Sequence, residues 1–172
     1  MLIASIAFSI DAMLPALPEI AEELSPDDIN RAQLILTIFV LGMGVGTFVT
    51  GPISDAIGRK PVILIGAALY CTASVGAWLA GSLELLLLAR FVQGLGAAGP
   101  RIVALAIIRD LYAGRDMARL MSFIMLVFTI VPAIAPTIGA GIIALVGWRG
   151  MFGAFIAFSL VSTAWLMIRQ PE

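Results

Sequence analysis

Three ionisable side chains, Asp11, Arg90 and Arg101, fall inside stretches that are otherwise apolar. A charge near the centre of a bilayer costs at least ~2.5–3.5 kcal/mol, so such groups turn toward a bundle interior or a wet cavity and mark proton, ion or solute paths. On a helix, Arg90, Gln93, Gly94, Ala97 and Arg101 follow i, i+3, i+4, i+7, i+11 and form one stripe. A basic, partly glycine-lined stripe can bind an anion, pair with carboxylates or shift a proton site. The plainer alternative is that Arg90 only joins helices through hydrogen bonds. Asp11 is the carboxylate of the set. A carboxylate balanced between burial and a neighbouring guanidinium can take up and release a proton. At helical rise Asp11 lies ~12 Å and Arg90 ~9 Å below the boundary marked by Glu19 and Glu84. The two are therefore expected to line one cavity and sense each other's charge, with Arg101 deeper. The plainer alternative for Asp11 is a place near a frayed terminus.

A second group sits in a turn. Gly51, Asp55, Gly58, Arg59, Lys60 and Pro61 lie between two long apolar runs. One acid and two adjacent bases in a tight reversal make the basic tip of a membrane hairpin. Gly58 permits the reversal, and Pro61 suits the first turn of the next helix.

The elements that carry these residues belong to a membrane. The 172 residues are 61% hydrophobic with a mean hydropathy of +1.09, and only 12% are charged, against roughly 25% in soluble domains. No basic face points to nucleic acid as a partner. With no His and one Cys, Cys71, a metal centre or an intrachain disulfide is not expected. No nucleophile–base constellation points to an enzyme. The first segment lacks the basic start of a signal peptide and reads as a span.

Six spans are expected at about 1–18, 32–53, 61–80, 84–108, 119–146 and 149–168, each near the ~17–25 residues that cross the hydrocarbon core. The fifth is long enough to hold an interfacial turn. Lys and Arg set the orientation: Arg59, Lys60, Arg109, Arg115, Arg119 and Arg169 gather on one side, Arg31 and Arg149 on the other. The first side is cytoplasmic by this bias, and both termini fall on it. Glu19, Glu22, Glu23, Asp27, Asp28 and Glu84 make the outer side acidic. Gly42 and Gly46 form a G-x-x-x-G pair for close helix packing. Gly94, Gly96, Gly99 and Pro100 punctuate the fourth span, and Pro132, Pro136, Gly139 and Gly141 the fifth. They serve either close packing or helix bending during alternating access.

The residues together resemble a known family. Gly51-x-x-x-Asp55-x-x-Gly58-Arg59-Lys60 is similar to the helix 2–3 loop motif of the major facilitator superfamily, and Arg90-Phe-Val-Gln93-Gly94 to its fourth-helix motif, associated with proton coupling in drug antiporters. Ser9-Ile-Asp11-Ala-Met-Leu-Pro15 resembles the first helix of the bicyclomycin and chloramphenicol resistance branch. Ile108-Arg109-Asp110, Ala135-Pro136-Thr-Ile-Gly139 and Gly147-Trp148-Arg149 fit that branch too; Ala135 stands where the antiporter motif has Gly. The resemblance covers nearly the whole chain. It implies an all-α membrane protein, the amino-terminal six-helix half of a twelve-helix fold. The half would be one domain over 1–172, built as 3+3 inverted repeats of about 1–80 and about 84–168. The second half is absent.

The implied function is proton-coupled efflux of small lipophilic, drug-like molecules across a bacterial inner membrane. The proton gradient supplies the energy and no cofactor is required. Asp11 would couple the proton, Arg90, Gln93 and Arg101 would line the cavity, and Gly51, Asp55, Gly58, Arg59, Lys60 and Asp110 would form a cytoplasmic gate. In that gate Asp55 meets a helix end of the missing half and Arg59 pairs with Asp110. Lipid, substrate, protons and either the missing half or a second copy are the expected partners. The alternative is a non-transporting helix bundle, a truncated product or an assembly partner.

Overall fold

The computed structural model describes the backbone of residues 2–111 and 114–169, and side chains over 6–106, 108 and 114–168. Among them all regular structure is helical. Helix α1 spans Leu2–Asp11 and α2 spans Leu17–Leu24, joined through a 3-10 turn at Leu14–Ala16. A second 3-10 turn, Ile29–Gln33, leads into α3, Leu34–Ile57; α4 is Arg59–Trp78, α5 is Leu83–Leu111 and α6 is Gly114–Arg169.

Helical structure thus continues past the apolar segment at about 1–18 to Leu24, and it is broken. Pro15 and Pro18 lack the N–H that an interior helical position needs, so each stands in the first turn of a new helical piece. Helix α2 carries Glu19, Glu22 and Glu23 beyond the apolar stretch.

The turn between α3 and α4 is tighter than the stretch from Gly51 to Pro61 that the sequence marks out. Helix α3 runs through Gly51 and Pro52 to Ile57, and Gly58 alone, at φ 90°, reverses the chain before α4 starts at Arg59. A residue with a Cβ is disfavoured at that φ. The expected interfacial turn inside the fifth span is also missing: the helix that starts at Gly114 continues to Gly147, where φ 71° and ψ 174° leave helical space. The chain doubles back there, since Ile130, Val131, Ile134 and Ile138 share a cavity of about 390 Å³ with Phe158 and Phe8.

Helix α5 is the hub. It packs most extensively on α3 and α4, and its residues from Gln93 to Pro100 are nearly all buried. Glycine makes these contacts close. A Cβ at Gly94 would strike the carbonyl of Phe39, one at Gly42 the carbonyl of Phe91, and one at Gly96 the backbone of Tyr70 and Gly66. Backbones that approach this far are the means by which helices associate where no hydrophobic force separates helix from solvent.

The outside is oily. Phe48 is 83% exposed and Leu145 86% exposed. Three stretches, within Ile29–Ile57, Arg59–Trp78 and Gly114–Ile168, are long and apolar enough to cross a membrane. Apolar contact with lipid gives these surfaces a solvent that water would not be. The fold is that of an all-helical membrane protein.

Candidate functional site

Arg90 is fully buried, projecting from α5 into the middle of the bundle. Its Nη1 donates to Gln93 Oε1 at 2.7 Å, Nη2 to the Ser9 carbonyl of α1 at 3.2 Å, and Nε to the Ile35 carbonyl of α3 at 3.5 Å. The guanidinium lies 4.4 Å from the centroid of the Phe39 ring. Every partner is neutral. Gln93 passes the network on: its Nε2 donates to Ser74 Oγ at 2.7 Å, and that hydroxyl donates to the Tyr70 carbonyl at 2.7 Å. The Tyr70 hydroxyl in turn bonds the Ser9 hydroxyl. Helices α1, α3, α4 and α5 therefore meet at one buried polar knot. A cation removed from water needs acceptors of this kind, because an unmet buried charge costs far more than a hydrogen bond returns.

Asp11 ends α1, two residues beyond the Ser9 carbonyl that Arg90 engages. Its carboxylate is half-buried and makes no hydrogen bond or ion pair among the described residues. The segment that holds Asp11 and the Arg90 guanidinium are thus neighbours, while the Arg90 charge is met by neutral oxygens and an aromatic face. The backbone break after Asp11 is covered by α6: a Cβ on Gly139 would strike the Ala12 carbonyl.

Arg101 continues the stripe below Gly94 and Ala97. It is half-buried, and Nη1 lies 3.8 Å from Met43 Sδ of α3. No carboxylate pairs with it among the described residues.

At the Gly58 turn, Asp55 is exposed and without a polar partner among the described residues. Arg59 and Lys60, half-buried, open α4. The side chain of Asp110 lies outside the described residues, as do those of Arg109 and Arg169. Gly94 and Pro100 lie inside an unbroken α5, Pro132, Pro136 and Gly139 inside the first arm of α6. Here Gly94 and Gly139 act as close-packing positions.

The opposite end holds a clasp that sequence reading passed over. Trp148 Nε1 donates to Glu23 Oε2 at 2.7 Å, Arg149 Nη1 to Glu23 Oε1 at 2.6 Å, and Arg149 Nη2 to the Ala80 carbonyl at 3.2 Å. Arg149 also stacks 4.3 Å from the Trp148 ring. The Trp148 and Arg149 hydrogen bonds hold the Glu23 carboxyl below the usual glutamate range. Beside it, Arg31 meets Glu84 at 3.1 Å. Sequence offered the Gly147-Trp148-Arg149 motif and the acidic run at Glu19, Glu22 and Glu23, but nothing to join the two. Tyr70 and Ser74 were legible only as polar atoms within apolar runs, and Ser9 only as the first residue of the motif that contains Asp11.

The chain resembles known proteins in the same terms. It is 34% identical over 167 residues to a bicyclomycin resistance protein homolog of Haemophilus influenzae, covering 96% of this chain and 41% of that one. It is 35% identical over 159 residues to a chloramphenicol resistance protein of Pseudomonas aeruginosa, covering 92% and 38%. With the multidrug resistance protein MdtL of Shewanella oneidensis it shares 34% over 163 residues, covering 95% and 41%. The chain therefore spans about two fifths of the length of these relatives. The family model of the Major Facilitator Superfamily matches residues 1–172, all of the chain. With a buried cationic knot at the centre of an all-helical bundle and a glycine-hinged basic turn at one end, the chain belongs to the Major Facilitator Superfamily.

Proposed function

We propose that this chain is the amino-terminal, six-span half of a proton-coupled exporter of small lipophilic molecules in a bacterial inner membrane, with both ends in the cytoplasm. The observation that carries the reading is the Arg90 knot: a fully buried cation held by α1, α3 and its own helix inside a bundle with an apolar exterior. A charge is retained at such depth where a solute or proton path runs past it. The three relatives, named for bicyclomycin, chloramphenicol and multidrug resistance, support a drug-like substrate, and export is the direction of transport consistent with resistance. In this reading the six spans are α1 with the 3-10 turn that follows it, then α3, α4, α5 and the two arms of α6 that meet at Gly147, with the acidic α2 outside the membrane.

In this mechanism Asp11 carries the exchangeable proton. Arg90 and Gln93 fix the shape and field of the site beside it, since the Ser9 carbonyl ties Arg90 to the helix that bears Asp11. Protonating Asp11 removes a charge from the bundle and lowers the cost of an outward or inward closure. Asp55, Arg59, Lys60 and Asp110 form the cytoplasmic gate, which engages the other half of the carrier. Gly94, Pro100, Pro132, Pro136 and Gly139 allow the helices to slide and bend as the gate changes state.

The test is the Asp11→Asn variant of the protein at its full natural length, in inverted vesicles with an imposed pH gradient. Substrate-driven proton movement should be lost while substrate still binds. Unchanged coupling removes Asp11 from the mechanism. A second reading, a bundle that assembles with another protein or a second copy and transports nothing alone, takes its support from the length comparison. Mass measurement in detergent together with dye efflux separates it: a monomer without efflux favours the bundle.

A further inference from the structure

The two arginines of the stripe are not equivalent. Arg90 has each of its three donor nitrogens engaged by a neutral acceptor and its face covered by Phe39. Arg101 has a thioether at 3.8 Å and nothing stronger among the described residues. Side chains on a helix lean toward its amino-terminal end, and the Met43 sulfur it reaches belongs to a residue whose backbone packs against Gly94. The guanidinium therefore sits near the middle of α5, level with the buried belt from Gln93 to Pro100. It is half-buried, so one side is open.

A guanidinium at that depth has five N–H donors and needs oxygen acceptors. Thioether sulfur is a weak acceptor, but it is a soft, adaptable contact for an apolar group. A charge with its strongest donors unspent, next to a flexible apolar side chain, is complementary to an amphiphilic anion. The anion meets the guanidinium fork, and the apolar body meets Met43 and the surrounding helix faces. Arginine is the residue suited to this, because its planar fork matches a carboxylate two bonds at a time.

We infer that Arg101 is a binding residue for the carboxylate of an amphiphilic organic acid, and that such acids are among the molecules this protein moves. The inference rests on the transport reading above and adds a substrate class to it. A carboxylate from elsewhere in the full-length carrier offers the same chemistry, and the experiment distinguishes the two sources.

The protein at its full natural length is purified in detergent as wild type, Arg101→Gln and Arg101→Lys. Binding of two probes is measured by fluorescence: the carboxylate dye carboxyfluorescein and the uncharged dye Nile red. The same variants are then assayed for efflux of both dyes from vesicles. Arg101→Gln should weaken carboxyfluorescein binding about tenfold or more, the usual yield of a charge-assisted hydrogen-bonded pair. Nile red binding should stay within about twofold, and Arg101→Lys should recover part of the loss. Equal carboxyfluorescein binding by wild type and Arg101→Gln overturns the inference. So does an equal loss of both dyes with a lowered unfolding temperature, which assigns the Arg101 partner to the protein itself. Selective binding without efflux of either dye sinks the transport reading and leaves the Arg101 site standing. Efflux of Nile red with no binding of carboxyfluorescein does the reverse.

Discussion

The indole N–H of Trp148 reaches the Glu23 carboxylate at 2.7 Å, across a sequence separation of 125 residues. With Arg149 on the other carboxylate oxygen, this bond fastens the end of α2 to the Gly147 reversal of α6. Glu23 is held below the usual glutamate range, so the bonds stabilise the fold fully above that range and fade as pH falls through the lowered value. The Glu23 side chain is 44% exposed and that of Arg149 35%, which limits the gain to roughly 1 kcal/mol. Glu23→Gln should therefore lower the unfolding temperature at pH 7 by roughly 2–4 °C. The gap between wild type and variant should begin to narrow near the free glutamate range, about pH 4.3, and close only as pH falls on through the lowered value. A gap that persists in acid would mean the carboxylate charge is not what fastens the two helices.

Gly94 and Gly44 offer an internal comparison on facing helices. A Cβ at Gly94 falls against the backbone of Phe39 and Met43, whereas one at Gly44 meets open space. Backbone does not yield as a side chain does, so Gly94→Ala should destabilise the bundle by roughly 1–3 kcal/mol. Gly44→Ala should be neutral or slightly stabilising through helix propensity. Detergent-solubilised unfolding curves for the pair decide it. Equal midpoints would show that α3 and α5 are not held at this spacing.

What sequence could and could not say follows from distance along the chain. Arg90 stood out because a charge in an apolar run is costly whatever surrounds it. Its acceptors did not, because Ser9 and Ile35 lie 81 and 55 residues away and offer carbonyls, which every residue has. Gly58 was legible as a pivot, since the reversal demands a conformation glycine alone adopts freely. The span before it was placed a few residues short, ending at about 53, because the polar residues from Ser54 and Asp55 onward read as loop. In α3 the proline is accommodated within the helix, as membrane helices allow. Gly147 marked its own break for the same reason as Gly58. The Glu23 clasp had no local pattern to betray it.

Asp55 is exposed beside the Gly58 pivot and touches no polar group among the described residues. Among the described residues no polar contact makes its charge a source of stability. Asp55→Asn should leave the unfolding temperature within about 1 °C, in line with surface substitutions. In the full-length protein it should change how often the cytoplasmic side opens, read by thiol labelling of a cysteine placed near Gly51. Unaltered labelling would reduce the turn to a topological device.

Gln93 is the joint between Arg90 and α4, accepting from Nη1 and donating to Ser74. Gln93→Leu keeps the volume similar and removes both bonds. It strands one guanidinium nitrogen and the Ser74 acceptor in a fully buried site, at roughly 1–3 kcal/mol for each buried group left unmet. Gln93→Glu keeps an acceptor for Nη1 but brings a second charge, and the Ser74 hydroxyl must turn to donate to it. If the knot only holds helices together, Gln93→Leu should lose stability and coupling in proportion. If it tunes the proton site, Gln93→Glu should keep the unfolding temperature close to wild type while shifting the pH at which efflux is half-maximal. A Gln93→Glu protein with an unshifted pH profile and normal efflux would confine Arg90 and Gln93 to a structural role.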